Sequence, residues 1–320
     1  MPRQKKKPNA APQPQVGGGK SILWTLGAVC VAGLLGWAAL SVAQNDNLGK
    51  NAMSHAEKMV ALGPRPSGSA AHKQTQQYII NALKAAGVAV ETDSFTADSA
   101  NGPVPLSNII GRIVSRGGRS GRIFVVASHY DTKLSKDFPF VGANDGGSST
   151  GLLLALAPLL ARKSFQHEVR LVFFDGEESV PWDWDDAQSL YGSRHLAARW
   201  KADGTAKRIG AFILMDMIGD AELGIVKESN STGWLSDQVW AAARSLGHAE
   251  HFLPDQVPLV DDHMPFLGIG VPAVDLIDFN YGPNHSYWHT EKDTLDKLSP
   301  RSLQVVGEVV LETLTVLDQK

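Results

Sequence analysis

The chain has 320 residues, 43% of them hydrophobic, which is enough for one large core or two small ones. Its formal charge is −3, but five basic residues and no acidic ones fall in the first 20, leaving 25 basic against 33 acidic residues, a net of −8, for the remaining 300. A body that acidic lacks the basic surface that nucleic-acid binding requires, and a single cysteine, Cys30, excludes an intrachain disulfide.

Residues 1–20 carry Arg3, Lys5, Lys6, Lys7 and Lys20 among prolines, glycines and glutamines, and read as a disordered basic tail. Residues 17–21, Gly-Gly-Gly-Lys-Ser, resemble the end of a phosphate loop, but the earlier glycine of that motif is replaced by Pro14 and no soluble helix follows. Residues 21–43 contain no charged side chain. A helix of ~23 residues spans the roughly 30 Å hydrocarbon core of a bilayer. The segment is expected to be a membrane anchor with the basic tail in the cytoplasm and the body on the far, periplasmic side. Ser41-Val42-Ala43 also fits a signal-peptide cleavage site, which would give a secreted body instead. Cys30 lacks the small preceding residue of a lipoprotein cleavage site.

From residue 49 to about 90 apolar residues recur at helical spacing, with Gly63-Pro64-Arg65-Pro66-Ser67-Gly68 separating two helices. Strands are expected at 107–114, 122–130, 167–175, 208–219 and 272–278, and helices at 148–161, 189–200, 234–246 and 302–317. This alternation predicts one α/β domain over residues 49–320, with a mixed, mostly parallel central sheet flanked by helices. No internal repeat is visible. In such sheets ligands bind beyond the carboxyl ends of the strands.

Five potential metal ligands stand at strand ends or in the adjoining loops: His129 in VVASHYD, Asp145 in GANDGG, Glu178 in VFFDGEES, Asp216 in FILMDMIG and His289 in YWHT. Three or more such side chains converging can hold a divalent ion with a position open for substrate. Alone, Asp145 reads as a turn or cap residue, His129 as a hydrogen-bonded core histidine, Asp216 as half of a structural ion pair and His289 as a surface histidine. Their shared placement argues otherwise. Glu177 adjoins Glu178, and two neighbouring carboxylates repel. A metal on one relieves the repulsion and leaves the other to move protons. Asp131 is placed to orient the His129 imidazole.

Together these residues resemble the zinc-dependent exopeptidase superfamily and, within it, the glutaminyl-peptide cyclotransferases of animal type. The resemblance covers about residues 50–318. It is carried by FFDGEES with SLYGSRHLA, by FPFVGAND, and by DDHMPFLGIGVPAVDLI followed by WHT. It implies one zinc ion on Asp145, Glu178 and His289, with Glu177 as the proton shuttle and Asp216 and Asp261 as further acidic residues of a catalytic hydrogen-bond network. It also implies a pocket walled by Trp288 and by Trp184, or Trp182, because this chain carries one extra residue there. The substrate would be a peptide or protein N-terminus bearing glutamine, and the catalytic domain a monomer.

The stretch Asn144-Asp145-Gly146-Gly147 looks more like the aminopeptidases, and the loop from Asp278 to Tyr287 is longer than expected for the cyclases. A two-zinc aminopeptidase is therefore the runner-up. There His129 and Asp216 would hold a second zinc, Asp145 would bridge, and Glu177 would activate water. A non-catalytic, membrane-tethered binding protein on the same fold is the third reading, disfavoured because every ligand and the base are present. Asn230-Ser231-Thr232 and Asn284-His285-Ser286 are glycosylation sequons only in a eukaryotic secretory host.

Overall fold

The computed structural model of the chain describes residues 1–2, 47–115 and 121–320. The chain separates into two compact units, Met1–Ala43 and Gln44–Lys320. The expected anchor at 21–43 lies outside the described residues. Among the described residues no helix is long and apolar enough to cross a membrane.

The second unit starts with helices α1 (Leu48–Val60) and α2 (Ala70–Ala85), the latter capped by the Ser69 hydroxyl accepting from the His72 amide. A hairpin of β1 (Ala89–Ser99) and β2 (Gly102–Ile113) follows, then β3 (Ile123–His129), α3 (Gly147–Arg162), β4 (Glu168–Phe174), α4 (Tyr191–Ala202) and β5 (Ile209–Asp216). The chain continues through β6 (Ile225–Glu228), α5 (Gly233–Ser245), β7 (Phe252–Val257), the single turn α6 (Met264–Leu267), β8 (Ala273–Ile277) and α7 (Pro300–Asp318). One eight-stranded sheet has the order β1-β2-β4-β3-β5-β8-β6-β7. Its centre, β4-β3-β5-β8, is parallel throughout, whereas β1, β2 and β6 pair antiparallel to their inner neighbours. The expected single α/β domain with a mixed, mostly parallel sheet is therefore present.

The central strands are buried on both faces, which is why they read as unbroken apolar runs. Phe124, Val126, Leu171, Phe173, Ile213 and Met215 pack with α1, α2, α3, α5 and α7. Their alternates Ile123, Val125, Val172, Phe174, Phe212 and Leu214 pack with Leu196 and Trp200 of α4 and Phe266 of α6.

Three elements run against or beyond the sequence reading. The helical stretch expected to about residue 90 stops at Ala85, and β1 begins at Ala89. This strand is an edge, paired only with β2, so its composition is polar and its burial irregular. Its turn is the two-residue link Ala100-Asn101, and the Asn-Gly pair at 101–102 was the available signal. The short strands β6 and β7 were also not anticipated. β7 is the other edge, with Pro254, Asp255 and Gln256 exposed, so it lacks an apolar pattern.

Helices α1 and α3 cross closely at Gly151. A Cβ built there falls 2.7 Å from the Ala52 carbonyl oxygen and 3.1 Å from the Ala56 amide nitrogen, both main-chain atoms. Alanine gains about 0.5–1 kcal/mol over glycine inside a helix, but forcing atoms into a packed core costs about 1–3 kcal/mol. Because rigid backbone is the obstacle, overpacking wins. Gly151→Ala is expected to lower Tm in a calorimetric scan by about 2–6 °C; an unchanged or higher Tm would show that α1 moves aside freely.

Candidate metal and catalytic site

The parallel centre of the sheet delivers its functional side chains to one end. His129 is the last residue of β3 and Asp216 the last of β5. Glu177 and Glu178 follow β4, and His289 lies in the loop after β8. Asp145 stands just before α3.

Asp145 is shared. Its Oδ1 lies 3.2 Å from His129 Nε2, and its Oδ2 lies 3.3 Å from His289 Nε2. Asp216 Oδ1 is 3.2 Å from His129 Nε2, and Glu178 Oε2 is 3.3 Å from His289 Nε2. Two triads result, His129–Asp145–Asp216 and Asp145–Glu178–His289, with the ligand atoms of each within 4.8 Å of one another. Zinc–ligand bonds of ~2.1 Å in a tetrahedron place neighbouring donors ~3.4 Å apart, close to the four separations found. Glu178 Oε2 is also buried, with the His289 and Lys133 nitrogens at 3.3 and 3.7 Å but no well-formed hydrogen bond. Carboxylate and imidazole donors suit zinc, so the residues present fit such an ion.

The electrostatics agree. Burial pushes the His289 imidazole pKa down, but Glu178 and Asp145 carry it up to about 9. His129 behaves likewise: burial is outweighed by Glu177, Asp131, Asp145 and Asp216, and its pKa lies well above the usual imidazole range. Asp145, despite burial, is held well below the usual carboxylate range by the two imidazoles. The carboxylates thus demand positive charge at their centre. A divalent ion on the same donors would supply that charge.

Glu177 is 8% exposed, with Oε2 3.9 Å from His129 Nδ1. Its carboxyl pKa is pushed well up by burial, with Glu178, Asp261 and Asp262 adding to the rise against His129. Asp131 sits beneath the pair. Its carboxylate accepts from the amides of Glu177 (3.2 Å) and Glu178 (3.3 Å) and approaches His129 Nδ1 at 3.6 Å, the orienting position anticipated from sequence. Asp261 is buried near Asp216, and burial, Asp216 and Asp262 raise its pKa well above normal.

These groups open on a cavity of about 230 Å3 lined by Asp145, Glu177, Glu178, Asp216, Asp261 and His289, with Trp184, Trp288, Leu259 and Phe279 as its apolar wall. It is smaller than the roughly 300–1,000 Å3 of drug-sized pockets. Trp288 stacks on His289, ring centroids 4.1 Å apart, and Trp184 donates its indole N–H to Asp186 at 2.6 Å. Trp182, the other candidate, stands outside the cavity lining, edge-on to Phe138 and 6.0 Å from the His289 ring.

Sequence reasoning missed the residues that hold this set. Asp293 accepts from the amides of Asn144 (2.7 Å) and Asp145 (3.2 Å) and from the Tyr281 hydroxyl (2.8 Å). Arg65, 1% exposed, donates to the carbonyls of Val141 (2.6 Å) and Gly142 (3.0 Å). Lys133 donates its amide to Glu178 Oε1 at 2.9 Å. The spacing of Asp293 four residues after His289 was the one signal available. Gly146 is obligatory: its φ is +70°, and a Cβ would fall 2.9 Å from His129 Cε1. Met217 (φ 45°) and His289 (φ 51°) hold left-handed backbone without being glycine, the kind of local strain that gathers at functional sites.

Two carboxylate–imidazole triads sharing one aspartate, at the carboxyl ends of parallel strands, define a metal-dependent α/β enzyme. Comparison with known proteins makes this particular: the chain belongs to peptidase family M28, whose sequence model matches residues 108–314, and to the glutaminyl-peptide cyclotransferase relatives within it. It is 30% identical over 282 residues to a glutaminyl-peptide cyclotransferase-like protein of Bos taurus, covering 77% of this chain and 70% of that protein. It is similar to the crystal structure of an Acidobacteriales bacterium glutaminyl cyclase, with 40% identity, a TM-score of 0.80, and coverage of 85% of this chain and 94% of that one. It is also similar to a leucine aminopeptidase precursor from Bacteroides thetaiotaomicron, at 25% identity and a TM-score of 0.73, covering 83% and 96% of the two chains.

Outer hydrogen-bond partners of metal ligands typically contribute 10–100-fold to metal affinity. Asp293→Ala is expected to weaken zinc binding by about that factor, measured by competition with a chromophoric chelator. Wild-type affinity in this variant would show that Asp293 does not position Asp145.

Proposed function

We propose that the protein is a zinc-dependent glutaminyl-peptide cyclotransferase that converts N-terminal glutamine of peptides to pyroglutamate and releases ammonia. The observation that carries this reading is the cavity itself. Its small volume suits one side chain, and its wall joins Glu177 and the Asp145–Glu178–His289 triad to two tryptophans.

We assign one zinc ion to Asp145, Glu178 and His289. All three line the cavity, and Glu178 offers a buried oxygen that accepts no hydrogen bond. His129 does not line it and is 1% exposed, while Asp216 Oδ1 also accepts from the Met217 amide at 2.8 Å. Bound there, zinc would supply a Lewis acid for an amide carbonyl. Glu177 takes a proton from the substrate α-amine as the amine nitrogen bonds to the side-chain carbonyl carbon. It then returns the proton to the departing amide nitrogen, which leaves as ammonia. A carboxyl whose pKa burial raises holds a proton more readily than a free glutamate, which suits the return of that proton to the leaving nitrogen. Asp216 and Asp261 orient the amine. Trp184 and Trp288 exclude water, the nucleophile that would give glutamate instead.

The second triad, with the same spacing, favours one other reading, an aminopeptidase with a second zinc on His129 and Asp216. Both readings are separated by counting zinc per chain and offering a glutamine-led peptide and a leucine anilide. One zinc with ammonia release supports cyclisation; two with anilide cleavage overturns it. We further propose that the body is extracytoplasmic and works on peptide or protein N-termini as a monomer. Residues 21–43 would serve as a membrane tether, or as a leader removed on secretion. Glu177→Gln is expected to lower kcat by about 10²–10⁴-fold, the usual range for a positioned acid–base group, with zinc still bound. A fully active variant would remove Glu177 from the mechanism.

A further inference from the structure

We propose that Glu228 is a positioning residue for this reaction, acting through the Pro258–His263 loop that carries Asp261. The inference rests on the reading of Asp261 as part of the catalytic machinery.

Glu228 ends β6, 3% exposed, away from the cavity lining. Its carboxylate makes six hydrogen-bond contacts. Oε1 accepts from the Asn230 amide (2.9 Å), the Asn230 side-chain amide (2.8 Å) and the Leu259 amide (3.1 Å). Oε2 meets the Ser231 amide (2.7 Å), the Ser231 hydroxyl (2.9 Å) and His263 Nε2 (3.0 Å). These contacts hold the carboxyl down at about 2 against the cost of burial. Two of the six grip the loop, at Leu259 and at His263, each two residues from Asp261. Asn230 closes the grip by donating to the Leu259 carbonyl at 3.2 Å, so that both polar groups of Leu259 are taken from one side.

The held segment needs such support. Residues 258–261 have no regular secondary structure, yet Pro258, Leu259, Val260 and Asp261 form one wall of the cavity. Val260 at its crest is 43% exposed, so packing does not fix it. Asp262 within the loop and Asp275 on β8 are fully buried, and the Asp275 carboxylate reaches the loop only at 4.0 Å, from Oδ2 to His263 Nδ1, longer than the 3.0 Å contact of Glu228 with the same ring. The neighbours of Glu228 fasten it to the sheet: the Ser231 hydroxyl accepts from the Asp275 amide (3.1 Å) on β8, and the Ser229 amide donates to Val257 on β7. A displacement of ~1 Å in a positioning group can cost ~100-fold in rate.

The test uses the full-length, zinc-loaded protein with Glu228→Gln and Asn230→Ala. Glutamine keeps the shape but replaces one acceptor oxygen with a donor, facing groups that already donate. Glu228→Gln is expected to lower kcat on a glutamine-led peptide by about 10–100-fold, with KM and zinc content near wild type. Amide hydrogen exchange should rise at residues 259–262 and stay unchanged in β3 and β5. Asn230→Ala, a milder change, should show the same exchange signature with a smaller kcat loss, and carries the test if the first variant does not fold. Wild-type kcat in a folded variant, whether exchange rises or Tm falls, overturns the proposal, because Glu228 would then be a structural tie alone. If the unaltered protein cyclises nothing, the functional reading has failed by itself. The exchange experiment then still shows whether the loop is held.

Discussion

One carboxylate, that of Asp145, sets the geometry on which the rest of the site depends. Its two oxygens each meet an imidazole, at 3.2 and 3.3 Å, and so tie the end of β3 to the loop after β8. Asp145 sits on a turn, so its position must be imposed from outside. Asp293 takes its amide and that of Asn144, Arg65 takes the carbonyls of Val141 and Gly142, and the Asn144 side chain accepts from the Gly219 amide at 2.8 Å. Stripped of water, the Arg65 guanidinium has its pKa lowered to about 10 and remains a cation at neutral pH. Its charge answers Asp293, Asp131, Asp145 and Glu178 together.

That answer is needed because the end of the sheet concentrates acid. Burial and mutual repulsion raise Asp262 and Asp293 each to about 7 and move Glu177, Asp261 and Asp275 well above the usual carboxylate range. Such groups do not stabilise a fold; buried carboxylates without cations cost free energy or keep their protons. Their gathering around two imidazoles makes sense as a site built for a cation and for proton movement, with stability surrendered locally and recovered in the apolar layers on either face of the sheet.

Three of the groups were legible because they close strands: His129 after Ile123–Ser128, the glutamate pair after β4, Asp216 after Phe212–Met215, while Asp145 and His289 lie in loops. Polar residues that close buried strands have few structural uses, so position plus residue type carried the inference. Trp182 and Trp184 could not be told apart, since an irregular loop has no period to say which indole turns inward. In the structure Trp184 joins the cavity lining, its N–H donating to Asp186, while Trp182 stands outside that lining beside the His289 ring. Arg65 and Asp293 were illegible for another reason. They bind main-chain atoms of a distant loop, and main-chain partners leave no complementary residue type to find. β1, β6 and β7 escaped because β1 and β7 are polar sheet edges and β6 is a four-residue strand.

The site divides its residues by how they are held. His129 and Asp216 belong to central strands and take their precision from the sheet. Each group carried on a loop has a dedicated partner. Asp131 holds the amides of Glu177 and Glu178, Asp293 and Arg65 hold the Asp145 turn, and Glu228 with Asn230 holds the segment of Asp261. His289 is fixed by rings, stacked on Trp288 and met edge-on by Phe140 at 5.7 Å. Loops tolerate change in length and composition where strands do not. A fold that fastens its loop-borne groups by separate carboxylates and aromatic rings can therefore alter the cavity rim, where Phe279 and Leu259 stand, while the donor atoms around Asp145 stay in register.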